Sequence, residues 1–206
     1  RVLQSARSVV AAGAEVTLVS GIECAEEEHT ELDGFELHRF AFDWTDPRIN
    51  FLHRMPRPFS RLVPLMQKVY RRWLQHLRRE NIWDHFVLSS LRPFRADLVY
   101  VHDLPLLQYG RRLAREWGVP FVFDAHEIYY EQDTFPKKVR DRLRRREARD
   151  LPHAALFVTV NRFIADWYKD KYPGLNTMVA HNSLPAFTSE DPAAARAELL
   201  RRSGFD

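Results

Sequence analysis

The chain has 206 residues, 45% of them hydrophobic, which suits one large domain or two small ones with a real core. Its single cysteine, Cys24, excludes an internal disulfide framework and fits a reducing cytoplasm. No apolar run approaches the roughly 20 residues that span a bilayer, and no secretory signal is visible.

Net charge is only +3, but the charge is unevenly spread. Residues 23–33 carry Glu23, Glu26, Glu27, Glu28, Glu31 and Asp33 with no Lys or Arg among them. Residues 48–80 hold nine Arg or Lys against Glu80 alone, and residues 137–150 hold eight basic against three acidic side chains. Such asymmetry points to an anionic partner for one face, with a solvated arginine-rich surface as the plainer reading.

In chain order, Val2, Leu3, Ala6, Val9 and Val10 recur at near-helical spacing, so residues 2–12 read as a helix ended by Gly13. Residues 15–20 (EVTLVS) read as a short strand, and the acidic stretch up to Gly34 as a loop. Residues 35–40 (FELHRF) alternate and read as another strand. Pro47, Pro56 and Pro58 make residues 41–58 an irregular excursion. Leu62, Met66, Val69, Trp73 and Leu77, flanked by Leu65 and Tyr70, form the core-facing stripe of a helix over 62–77. A further helix is expected over 83–94. The signals then alternate regularly. Strands are expected at 97–101 (DLVYV), 120–123 (PFVF), 155–160 (ALFVTV) and 177–180. Helices are expected at 105–117, closed by Gly118, and at 137–150 and 162–171. Residues 183–192 read as a linker and 193–202 as a final helix.

Strands alternating with helices imply βαβ units, a parallel sheet and a Rossmann-like α/β fold. A doubly wound domain normally opens with a strand and a phosphate-binding turn. This chain begins in what reads as the helix after them, so either an open sheet position where that strand would sit or disorder at the N-terminus is expected.

Ligands of open parallel sheets bind beyond the carboxyl ends of the strands. The polar residues there are His102 and Asp103 after DLVYV, Asp124, His126 and Glu127 after PFVF, Asn161 after ALFVTV, and His181 with Asn182 after the last strand. His126 is the sharpest candidate, because imidazole can donate to or accept from a substrate hydroxyl near neutral pH, and a flanking carboxylate can fix its tautomer. His102 is weaker, since Asp103-Leu104-Pro105 also makes an ordinary helix N-terminus. No histidine pair has i, i+4 spacing with a third ligand nearby, so no metal is expected. Neither a Walker-type loop, nor Gly-x-Gly-x-x-Gly, nor Gly-x-Ser-x-Gly occurs.

Several stretches together resemble family-4-type glycosyltransferases of the GT-B fold. They are RVLQSARSVVAAGAEVTLVS, DLVYVHDLPLL, GVPFVFDAHEIYYE, and LFVTVNRFIADWYKDKY followed by HN. The resemblance covers most of the chain outside residues 41–95. It implies that residues 1–182 form the N-terminal, acceptor-side domain of a two-domain enzyme, and that 183–206 begin the crossing to a donor-binding domain that this sequence does not contain. It implies His126 as the catalytic residue near the transferred sugar, with Asp124, Glu127, His102, Asp103, Asn161 and Asn182 as substrate-binding candidates. The implied partners are a nucleotide-sugar donor and a glycan or lipid-linked acceptor, with retention of anomeric configuration and no cofactor or metal. These residues alone are expected to be inactive. The basic segments, with Phe51, Leu52, Phe59 and Trp73, suggest an anionic membrane surface at the cytoplasmic face. Two other readings stay open: a GT-B-type sugar-nucleotide epimerase, and a noncatalytic basic binding module. For the latter no nucleic-acid motif is present.

Overall fold

The architecture is that of a computed structural model, which describes residues 1–20, 27–41, 82–132 and 134–182, and residues 65, 68, 69, 72, 73, 196, 197, 200 and 201. Helix α1 (Val2–Ala11) leads through Gly13, at φ 89°, into strand β1 (Thr17–Val19). Strands β2 (Glu28–Leu32) and β3 (Phe35–Arg39) follow. After helix α2 (Ile82–Leu91) comes a regular alternation: β4 (Val99–His102), α3 (Leu104–Trp117), β5 (Phe121–Ala125), α4 (Lys137–Asp150), β6 (Leu156–Thr159), α5 (Arg162–Lys171) and β7 (Thr177–Val179). The fold is α/β, with a four-stranded all-parallel sheet in the order β4-β5-β6-β7 and flanking helices.

A second sheet, β1-β3-β2, joins β1 and β3 in parallel and β2 and β3 as an antiparallel hairpin. The acidic stretch expected as a loop is therefore partly strand. Asp33 and Gly34, at φ 52° and 82°, make a turn whose left-handed backbone matches strand twist. Glu28 finds a cross-strand cation in Arg39 at 3.0 Å, and Arg7 takes Asp33 at 2.6 Å. The Asp-Gly turn outweighs the charge density. Among the described residues β1 and β4 each end a sheet.

The central strand β5 is buried at every position, as its uninterrupted apolar run requires. Phe121 and Phe123 pack with Leu107 of α3, Leu143 of α4, Phe157 of β6 and Tyr168 of α5. Each such side chain contributes on the order of 1.5–3 kcal/mol by leaving water. Phe86, Val87 and Leu88 of α2 make a second cluster with Tyr109 and Leu113 of α3. Gly118, in the left-handed region at φ 74°, closes α3 as expected.

Of the helix expected at 62–77, the five described positions are helical. Leu65, Val69 and Trp73, expected in the core, are exposed at 61, 60 and 41%. The rest of that stripe and the 42–58 excursion lie outside the described residues. So does most of the helix expected at 193–202, although residues 196, 197, 200 and 201 are helical.

Candidate functional site

Parallel pairing of β4 with β5 places His102 opposite Asp124, so their carboxyl ends share one edge. The next residues on each strand complete a cluster. His102 Nδ1 lies 3.3 Å from His126 Nε2 and 3.5 Å from Asp124 Oδ2, which is itself 3.9 Å from His126 Nε2. Asp103 Oδ2 lies 3.6 Å from His126 Nδ1, and Asp103 Oδ1 accepts the His126 backbone N–H at 3.3 Å. Asp124 is fully buried, whereas the two imidazoles keep 15% and 27% of their surface. The cluster thus has a closed floor and an open mouth.

The floor is held by residues that sequence reasoning missed. Arg1 grips Asp124 with Nη2 to Oδ1 at 2.7 Å and Nε to Oδ2 at 3.2 Å, and its Nη1 donates to the Ala180 carbonyl. Tyr100 donates its hydroxyl to Asp124 Oδ2 at 3.1 Å. In the apolar run DLVYV, Tyr100 reads as packing, and nothing local announces the partner of Arg1. Burial pushes the Tyr100 hydroxyl well above its usual range, and the Asp124 charge and hydrogen bond add to that, so it stays a donor. Burial holds the His102 imidazole below its ordinary value despite the pull of Asp124.

Of the other candidates, Asn161 lies just beyond β6 and caps α5, its Oδ1 accepting the Ile164 N–H at 2.9 Å. Asn182 is exposed three residues past β7. Glu127 is the carboxylate next to His126 in sequence, yet it accepts from Gln132 instead. Asp103 is no ordinary helix cap: it occupies the N-cap position of α3 without a side-chain cap bond.

Behind the cluster, the chain after Glu127 is pinned from below. Glu147 is fully buried and accepts from Tyr130, Tyr168 and Tyr172 and from Lys171 Nζ, at 2.8 to 3.1 Å. Tyr130 belongs to the short 3-10 turn Tyr129–Glu131, so Glu147 ties that turn to α4 and α5.

His102, Asp124 and His126 are spaced so that a cation could reach all three. Asp124 Oδ2 already accepts from Arg1 Nε and Tyr100, so a cation there would displace one of them. The other such grouping among the described residues is His29, Glu36 and His38, away on the β2–β3 hairpin.

A four-stranded parallel sheet with polar groups gathered at its carboxyl edge defines a Rossmann-like domain. The chain matches the family model described as glycosyl transferase 4-like domain over residues 1–182 and belongs to that family; its general activity is glycosyl transfer. Among curated proteins, none matches the chain. No helix among the described residues is long and apolar enough to cross a membrane.

Proposed function

We propose that the chain is the acceptor-side half of a GT-B enzyme. It would move a sugar from a nucleotide-sugar donor to a glycan or lipid-linked acceptor with retention of configuration. The observation carrying this reading is the convergence of His102, Asp103, Asp124 and His126 at one sheet edge in a chain of a glycosyltransferase family.

Transfer breaks the bond from the anomeric carbon to a diphosphate oxygen and makes one to an acceptor hydroxyl, whose proton leaves. Positive charge grows on the sugar and negative charge on the diphosphate. In this reading the His126 ring faces the transferred sugar and hydrogen-bonds one of its hydroxyls, while His102, Asp103 and Asp124 line the same mouth. Helices α1, α3 and α5 begin at this edge, and helix N-termini favour anions such as a diphosphate. Asn161 and Asn182 border the same edge, and Glu127 follows His126. Residues 183–206 are read as the crossing to a donor-binding domain. No cofactor or metal enters the reading.

The same proposal places the enzyme peripherally at the cytoplasmic membrane face, making polysaccharide or glycolipid. Support comes from α4. Lys137, Arg140, Arg144 and Arg149 are taken by Asp141, Glu131 and Asp150, while Lys138, Arg142 and Arg145 stand exposed. Each cation near an anionic leaflet gains about 1 kcal/mol.

The test incubates the intact enzyme with a panel of nucleotide sugars, with and without membrane and glycan acceptors. Acceptor-dependent release of nucleoside diphosphate with a glycosylated product supports the proposal. Donor epimerised without acceptor, or no reaction with any donor, overturns it.

A further inference from the structure

We infer that Asp103 is the positioning residue for His126, holding the imidazole with its proton on Nδ1 and its basic Nε2 turned into the site. The inference rests on the sugar-transfer reading of His126 for its effect on turnover, though not for its geometry.

Asp103 departs from local preference in two ways at once. Its backbone stands at φ 62° and ψ 154°, a region that residues other than glycine almost never occupy. Its side chain forgoes the N-cap bond that an aspartate at a helix start normally makes. The strained backbone is held from both sides: the Asp103 N–H donates to the Asp124 carbonyl at 3.0 Å, and the Asp103 carbonyl accepts the Leu106 N–H at 3.2 Å. Both departures have one result, a carboxylate set beside the His126 ring. Oδ1 accepts the His126 backbone N–H, and Oδ2 stands 3.6 Å from Nδ1.

An ionised carboxylate can only accept, and of the two near this ring Asp103 stands closer to Nδ1, at 3.6 Å, than Asp124 does to Nε2, at 3.9 Å, so the proton is assigned to Nδ1. Nε2 is then an acceptor, directed at His102 Nδ1 at 3.3 Å. Burial disfavours the charged form of His102, and its neutral Nδ1–H form would donate to that lone pair. The order Asp103, His126, His102 thus has one direction, and a sugar hydroxyl entering the mouth takes the place of His102 at Nε2. The 3.6 Å contact is longer than a hydrogen bond and closes by a small ring rotation, as such contacts do when substrate binds.

The experiment uses Asp103→Asn and Asp103→Gly in the intact enzyme, with three readouts. Nitrogen-15 NMR of the His126 ring reports the tautomer, melting reports the fold, and steady-state kinetics separate kcat from KM. The wild type is expected to carry the Nδ1–H form and both variants to move toward Nε2–H. Turnover is expected to fall about 10- to 100-fold, part of the roughly 10²- to 10⁴-fold that a positioned acid–base group contributes, with KM little changed. Asp103→Gly is expected to melt at or above the wild-type temperature, because glycine accepts the strained backbone, so its loss of turnover is not unfolding. A wild-type ring in the Nε2–H form, or one whose tautomer Asp103→Asn leaves unchanged, overturns the inference. So does wild-type turnover in Asp103→Gly while His126→Ala is inactive. If the tautomer shifts as expected and His126→Ala remains fully active, the positioning stands and the sugar-transfer reading of His126 falls.

Discussion

Arg1 and Asp124, 123 residues apart in the chain, meet in a two-pronged ion pair on the floor of the site. The pair fixes the start of α1 to the end of β5, and the third Arg1 bond, to the Ala180 carbonyl, adds the chain beyond β7. Truncating Arg1 leaves a fully buried carboxylate without its counter-charge. Arg1→Ala is expected to cost about 3–5 kcal/mol in chemical denaturation. Arg1→Lys should recover only part of this, since an ammonium cannot reproduce the two-pronged grip.

Gly110 lets α3 lie directly on β4. A Cβ built there would stand 2.0 Å from Val101 Cγ2, a contact no side chain tolerates. Gly110→Ala is therefore expected to lose about 1–3 kcal/mol or more. Adding Val101→Ala removes the clashing methyl, so a double-mutant cycle should show strong favourable coupling.

Stability near neutral pH should report His102. Burial holds its folded-state value below the ordinary 6.5, so below that pH the unfolded chain binds more protons than the folded one. The stabilisation present above about pH 6.5 is then lost as pH falls through the lower folded value. Denaturation between pH 7 and pH 5 should show this decline, and His102→Asn should flatten it.

Glu147 gathers three tyrosine hydroxyls and Lys171 in the core. Burial, and then the Glu147 charge, push the Tyr168 hydroxyl far up its scale, so it remains a donor. Glu147→Gln removes the charge and turns one acceptor into a donor facing donors. A loss of about 3 kcal/mol is expected in thermal or chemical unfolding.

The parallel half of the fold was legible because β4 to β7 are apolar runs separated by amphipathic helices with clear ends. The boundaries of α4 and α5 agree with the periodicity to the residue. The edge carrying His102, Asp103 and His126 followed from strand direction alone. Partnerships across the chain were not legible. Arg1 with Asp124, and Asp103 rather than Glu127 beside His126, depend on register and on one strained φ, neither of which leaves a local pattern. The β2 strand was hidden because six acidic side chains between residues 23 and 33 outweighed, in reading, the Asp-Gly turn that organises the hairpin.

The central claim is that the histidine beyond β5 serves sugar transfer. The most direct measurement is turnover of the intact enzyme carrying His126→Ala, with donor and acceptor saturating and melting followed in parallel. The account predicts roughly a 10²- to 10⁴-fold fall in kcat at an unchanged melting temperature. Wild-type turnover in a folded His126→Ala enzyme would contradict it.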